Sequence, residues 1–301
     1  MSAFLSRPEQ IPVGRPCLSV LVPTYNQPDG IARIFASLRA IQGHADIEII
    51  VSDDSSNDAA AKQIAVQCAA FGSVRYLRNQ PALGAVPNWN RLLDLAVGGY
   101  CLLLHHDEEI AAGTDLPALL LAMQAPRPAH AWVLACRVIR KPSAPARLHF
   151  PAPLAAYIAR HYPAYLLRRN LIGPPSALVV QRSSYLRFDT QLRWLVDVDA
   201  YCRIFQQACD VRAWPKGGVI SRADALNSIT AKLAPQVAQI AAAERQLLAS
   251  RYSLLQGFSW LFKDTRMART WRVGEAGLWW VFRSSQRLLQ WLAIFAGFGR
   301  R

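Results

Sequence analysis

The apolar run LLLHHDEEI, Leu102 to Ile110, ends in two histidines and three carboxylates. In extended backbone, residues two apart face the same way, so His105 and Asp107 can present two ligands to one ion. A hard divalent cation such as Mg²⁺ or Mn²⁺ takes one or two carboxylates from a protein and leaves its other positions to phosphates and water. Asp107, with Glu108 or His105 beside it, is therefore a candidate to hold a metal that neutralises a diphosphate; a solvated acidic loop is the plainer alternative. Zinc fits less well, because the adjacent histidines diverge and no third soft ligand is spaced for closure. A second acidic stretch, SDDSSND from Ser52 to Asp58, follows the apolar residues IEIIV. Asp, Asn and Ser are ordinary turn and cap residues, yet a place just after a strand lets Asp54 accept hydrogen bonds from a nucleobase or ribose. Arg182 and Arg203 could orient phosphates or carboxylates with bidentate bonds, or simply form surface ion pairs. Trp194 could stack on a sugar ring or be a buried core residue.

These clusters need elements to bring them together. CLSVLVPTYN (17–26) reads as a strand ending in a turn, and IARIFASLRAI (31–41) repeats apolar residues at helical spacing. IEIIVSDDSSND (47–58) is a second strand, AAAKQIAVQCAAF a helix, VRYLRN (74–79) a short strand, PNWNRLLDLAVGG a helix closed by Gly98 and Gly99, and YCLLLHHDEE a buried strand. Alternating strands and helices with short connections predict a mostly parallel sheet covered by helices, with ligands bound beyond the carboxyl ends of the strands. Pro23 to Gln27, Asp53 to Asp58 and His105 to Glu109 all fall there, so three polar clusters should share one crevice. Neither GxGxxG nor GxxxxGK[ST] occurs, which weighs against a dinucleotide dehydrogenase and a P-loop NTPase. Further on, a Pro-rich loop (141–155), a strand inside GPPSALVVQRSSYLRFD (173–189), a helix in WLVDVDAYCRIFQQA (194–208) and long helices after Pro235 complete the chain.

The chain has 301 residues, 52% of them hydrophobic, with 34 basic against 20 acidic residues and a net charge of +14. Such a surplus suits an anionic partner. From Arg245 onward ten Arg and Lys face two acids, so about +8 of the +14 lies in a tail also rich in Trp, Leu and Phe. That mixture suits a lipid headgroup region better than a nucleic-acid groove. The tail is too interrupted by Arg283 and Arg287 to span a bilayer, with 12 uncharged residues from Leu288 to Gly299; it reads as lying on an anionic membrane or packing on the domain. The six cysteines have no CxxC spacing and read as reduced core residues, and the first residues lack the apolar stretch of a secretory signal. The expected location is cytoplasmic, peripheral on the inner face of the membrane.

The ordered set VPTYN, IIVSDDSSND, RNQPALGAVPNWNRLLDLA, GYCLLLHHDEE and VDVDAYCRIF resembles the family 2 inverting glycosyltransferases with the GT-A fold. The resemblance implies a catalytic domain over 17–230, its nucleotide-sugar half at 17–110 and its acceptor half at 111–230; the remaining residues, 231–301, read from their own pattern as a helical region that associates with a membrane or packs on the domain. It assigns donor binding to Pro23, Thr24, Tyr25 and Asp54, with Asp53 nearby, and carries the metal carboxylate of the family's DxD motif to Asp107, where His105 replaces the first acid. It implies a general base in an acidic pair at a helix start, here Asp197, with Val196 in place of the usual Glu and Asp199 set about 200° away round the helix. Helix-start charges favoured by the dipole are the ordinary alternative for both. The implied reaction moves a sugar from a nucleotide-diphosphate donor to an acceptor hydroxyl with a divalent metal; the expected membrane location of the tail points in turn to a glycan or lipid-linked acceptor in surface glycan or cell-envelope assembly. A nucleotidyltransferase, or an inactive membrane-bound sugar-binding module, are the alternative readings.

Overall fold

The computed structural model describes residues 11, 14–141, 144–208, 210–222 and 236–252. Four parallel strands open the sheet: β1 (Leu18–Thr24), β2 (Ile47–Asp53), β3 (Val74–Arg78) and β4 (Tyr100–Leu103), in the order β3-β2-β1-β4. Every residue of β1 and β4 is buried, as expected of strands covered by helices on both faces. The register sets Thr24 opposite Asp53 and Leu21 opposite Leu103. The segments that follow these strands therefore emerge along one edge.

Beyond β4 the sheet becomes mixed. Five more strands join it: β5 (Glu108–Ile110), β6 (Ala131–Ile139), β7 (Arg147–Leu148), β8 (Leu178–Gln181) and β9 (Val211–Arg222). β8 runs antiparallel to β4 and to β6, β6 pairs in parallel with β9, β5 lies antiparallel on β9, and β7 pairs with β6 off the main path. The expected α/β architecture is thus parallel through its first half and mixed in its second.

Helix α1 (Pro28–Leu38) buries Ile31, Ile34, Phe35 and Leu38, a one-sided stripe at helical spacing. Its start is set by Pro28 at the first turn, and the residues to Ile41 continue as a 3₁₀ turn instead of the predicted α-helix. Helix α2 (Asp58–Phe71) begins where the Asn57 side chain accepts hydrogen bonds from the Ala59 and Ala60 N–H groups, a local competition that ends the acidic loop and starts the helix. Helix α3 (Ala85–Leu95) stops before Gly98 and Gly99, which approach Ser19 and Ile11 too closely for a side chain. The remaining helices are α4 (Leu116–Met123), α5 (Ala152–His161), α6 (Val196–Gln207) and α7 (Val237–Arg251).

One compact unit comprises Met1–Leu248 and a second Ala249–Arg301. The first thus takes in most of α7, which the sequence reading assigned to the tail beginning at 231. The membrane-associating stretch expected in the tail lies outside the described residues. No described helix is long and apolar enough to cross a membrane. The five described cysteines are buried and free.

Candidate active site

A cleft of roughly 1120 Å³ opens at the carboxyl ends of the parallel strands, lined by Pro23, Thr24, Tyr25 and Asp54 on one side and by the turn His105 to Glu108 beside them. The sequence reading treated this last segment as extended, which would send Glu108 away from His105 and Asp107. The structure corrects that: β4 ends at Leu103, and a turn closed by the Glu108 N–H donating to the His105 carbonyl (2.9 Å) precedes β5. The turn folds Glu108 back, so that its carboxylate accepts from the His105 N–H at 2.9 Å and lies 3.3 Å from His105 Nδ1. Ligand atoms of His105, Asp107 and Glu108 lie within 4.8 Å of one another. Helix α1 supports this turn through Gly30, where a Cβ would meet the His106 carbonyl oxygen at 2.2 Å. Only glycine allows the approach.

The cluster fits a hard cation. His105 Nε2 is buried without a hydrogen-bond partner, a costly state unless something occupies it. Burial raises the Asp107 carboxyl above the usual carboxylate range, and the neighbouring Glu108 adds to this. Burial alone would depress the His105 pKa, but the charges of Glu108, Asp107 and Asp197 outweigh it and raise it above the ordinary histidine value. Anions crowded in a dry site are what a divalent ion relieves.

Asp53 and Asp54 part company. Asp53 is fully buried and accepts from the Ser55 N–H at 2.9 Å and the Tyr76 hydroxyl at 2.8 Å, so it braces β2 against β3 and does not line the cleft. Asp54 lines it while accepting from Leu83 N–H (3.0 Å), Gly84 N–H (2.7 Å) and Asn79 Nδ2 (2.6 Å). Three of its roughly four lone-pair sites are taken by the loop that leads into α3. Asn79 also bonds Asn88 at 3.0 Å, and Asn88 donates to the Ser52 carbonyl at 3.0 Å. The sequence reading passed over both asparagines, although a buried Asn88 on the apolar face of α3 was an available signal for one of them.

Asp197 enters the same cleft from the first turn of α6. Its Oδ2 accepts from Asn170 Nδ2 at 2.9 Å and its Oδ1 from the Val198 N–H at 2.8 Å. Burial pushes its pKa up to about 6; the two backbone N–H bonds and His105 pull the other way. A carboxylate poised there can take a proton near neutral pH. Asn170 is aimed by its own loop, accepting from Ile172 and Gly173 N–H groups at 3.1 and 2.9 Å. The loop before α6 is held by Glu244 of α7, whose carboxylate accepts from the N–H groups of Arg193 (2.6 Å), Trp194 (3.1 Å) and Leu195 (2.7 Å). Sequence reasoning missed Asn170 and Glu244, since neither belongs to a local pattern. Trp194 lines the cleft.

Besides Asp53, the expected site residues Asp199, Arg203 and Arg182 also lie off the cleft lining. Asp199 is fully buried and paired with Arg203 at 2.8 Å, one helical turn on, on a different face of α6 from Asp197 as the helical angle requires. Arg182 follows β8, which is antiparallel to β4 with Gln181 opposite Tyr100, and its N–H donates to the Gly99 carbonyl at 2.8 Å. It therefore sits at the amino end of the parallel strands. Arg222, at the end of β9, pairs with Glu109 at 2.8 Å.

The cluster of His105, Asp107 and Glu108 and the Asp197 carboxylate with its raised pKa thus line one cleft at the carboxyl edge of a GT-A type sheet. Residues 19–189 match the family described as Glycosyl transferase family 2, and the chain belongs to that family. It is a glycosyltransferase. It is similar to an uncharacterized protein, MT1568, of Mycobacterium tuberculosis (27% identity over 281 residues, 89% of this chain and 82% of that one). It is also similar to the GalNAc(5)-diNAcBac-PP-undecaprenol beta-1,3-glucosyltransferase of Campylobacter jejuni (33% identity over 127 residues, 42% of this chain and 40% of that one). Solved structures of S. aureus TarS 1-349 share the fold: the complex with UDP at 18% identity and TM-score 0.54 (84% of this chain, 77% of that one), and the complex with UDP-GlcNAc at 16% and 0.53 (80% and 75%).

Proposed function

We propose that this enzyme transfers a sugar from a nucleoside-diphosphate donor to an acceptor hydroxyl with inversion at the anomeric carbon. The observation that carries the reading is the placement of Asp197, with its raised pKa, in one cleft with the His105, Asp107 and Glu108 cluster. Asp197 takes the hydroxyl proton as the acceptor oxygen bonds to the anomeric carbon. The electron pair of the breaking carbon–oxygen bond leaves with the nucleoside diphosphate on the opposite face. His105, Asp107 and Glu108 would hold Mg²⁺ or Mn²⁺, whose charge stabilises a departing diphosphate. Pro23, Thr24, Tyr25 and Asp54 border the donor side, within residues 17–110; the acceptor side is built by 111–230 together with α7.

The UDP and UDP-GlcNAc complexes of TarS support a nucleotide-sugar donor. The Campylobacter relative, named for an acceptor linked through PP to undecaprenol, supports a lipid-linked acceptor and a place in surface glycan or cell-envelope assembly. The concentration of about +8 from Arg245 onward supports peripheral attachment to an anionic inner leaflet.

The test is a thermal-shift panel of nucleoside diphosphates and nucleotide sugars, with and without Mn²⁺, on wild type and Asp107→Ala. A ligand at 100 times its dissociation constant adds about 2.7 kcal/mol. A Mn²⁺-dependent shift with one nucleotide, absent from Asp107→Ala, is expected. No shift with any nucleotide on a folded protein overturns the reading.

A further inference from the structure

The Asn170 amide is oriented by its own loop. Its oxygen accepts from the Ile172 and Gly173 N–H groups at 3.1 and 2.9 Å, and such donors must face oxygen and not nitrogen. Its NH₂ then has two protons to place. One goes to the Gly173 carbonyl and the other to Asp197 Oδ2, both at 2.9 Å. Three of these four bonds close the loop on itself. The fourth adds nothing to the loop and reaches a side chain 27 positions on.

The loop is in turn held from outside. His149 Nε2–H donates to the Asn170 carbonyl at 2.9 Å. Gly173, at φ +101°, has no room for a side chain, since a Cβ there would meet Cys136 Sγ at 3.2 Å. Tyr201, one helical turn past Asp197 and fully buried, donates its hydroxyl to the Gly173 carbonyl at 3.0 Å. The loop and the start of α6 are therefore joined at two points. With Val198 N–H on Oδ1 and Asn170 on Oδ2, both oxygens of Asp197 are tied. That fixes the plane of the carboxylate and leaves about two of its four acceptor sites for an incoming hydroxyl.

We propose that Asn170 is the positioning residue of the general base, its NH₂ holding the Asp197 carboxylate in one orientation and as a hydrogen-bond acceptor. This deepens the glycosyltransferase reading and rests on its assignment of Asp197.

The experiment pairs pH–rate profiles with carboxyl ¹³C titration of the full chain, the Asp197 resonance being the one lost in Asp197→Asn. Asn170→Asp keeps the size and the two accepted N–H bonds but sets a second carboxylate against Asp197. Like charges at hydrogen-bond distance share a proton, so the acidic limb of kcat/KM should move up by about one pH unit or more. At neutral pH kcat should fall at least about tenfold, while the Mn²⁺-dependent nucleotide shift is kept. Asn170→Ser, too short to reach Asp197, removes the donor without adding charge and carries the test alone where Asn170→Asp does not fold. Its Asp197 resonance should titrate about one unit higher, the worth of a hydrogen bond to a charged group. His105 and Glu108, the other charged groups acting on Asp197, are unchanged in both variants; Asp199 stays paired with Arg203, and burial pushes His149 toward its neutral form. A brace for the loop alone would lower kcat and leave both titrations in place, and that result in folded variants overturns the proposal. So does loss of the nucleotide shift, because Asn170 would then serve the donor. If the resonance moves and the limb does not, the contact stands but Asp197 is not the base, and the failure lies with the reaction reading.

Discussion

The two sides of the cleft are built in different ways. On the proposed donor side, Asp54 and Glu108 are held by hydrogen bonds to backbone and side chains a few positions away or on the adjacent loop, and both are buried. On the proposed acceptor side, Asp197 accepts from Asn170, and the loop before it is held by Glu244, some fifty residues further along the chain. A donor side made of strand ends is fixed by the sheet itself and suits a ligand part common to many reactions. An acceptor side assembled from distant segments can change one wall without disturbing the sheet.

Asp197→Asn is the most severe way to break this comparison. It keeps the size of the side chain and removes its basicity, so turnover should fall about 10²- to 10⁴-fold while the nucleotide-induced thermal shift stays close to wild type. Unchanged turnover removes Asp197 from the role of base. The pH profile sharpens the same point. The carboxylate works when deprotonated, so with a pKa raised to about 6 kcat/KM should lose roughly tenfold per pH unit below that value and level off above it. The residual activity of Asp197→Asn should lack this limb; if the limb persists, the His105 cluster is its source.

The donor side should respond through stability. Asp54→Ala strands the Leu83 and Gly84 N–H groups and Asn79 Nδ2, and losing partners of this kind costs about 1–3 kcal/mol apiece when water cannot replace them. A loss of about 3 kcal/mol in urea unfolding is expected, together with loss of the nucleotide shift. Arg182→Gln, at the opposite edge of the sheet, should leave that shift in place, and any substantial change there would mean that the edge assignment is mistaken.

The donor side was also the more legible in the sequence, for a physical reason. Apolar runs that end in polar residues mark strand ends, and parallel strands align those ends, so Asp54 and Asp107 could be placed without knowing any long-range contact. What alternation could not foresee was the hydrogen-bonded turn at His105 to Glu108, which gathers the side chains of His105, Asp107 and Glu108. Arg182 was misplaced because strand direction is not written locally: β8 follows a long loop and runs antiparallel, which sends its last residue to the far edge. Helical period did separate Asp197 from Asp199. Asn170 and Glu244 were invisible because tertiary packing alone brings Asn170 to Asp197 and Glu244 to the loop before α6.

The mildest expected effect is that of Glu244→Gln, and it tests whether the acceptor side is held from a distance. The glutamate is 7% exposed and uses both oxygens on three N–H groups just ahead of α6, where a negative charge also opposes the positive end of the helix dipole. Glutamine keeps one accepting oxygen and turns an NH₂ toward N–H donors, so about 1–2 kcal/mol of stability should be lost. If the loop's role is to hold Asp197 within reach of the acceptor, kcat should drop several-fold, because small displacements of a reacting group are expensive, while donor affinity stays within about twofold. A variant that changes donor affinity and spares kcat would show that α7 supports the nucleotide side instead, and the contrast between a sheet-fixed donor wall and a remotely braced acceptor wall would no longer hold.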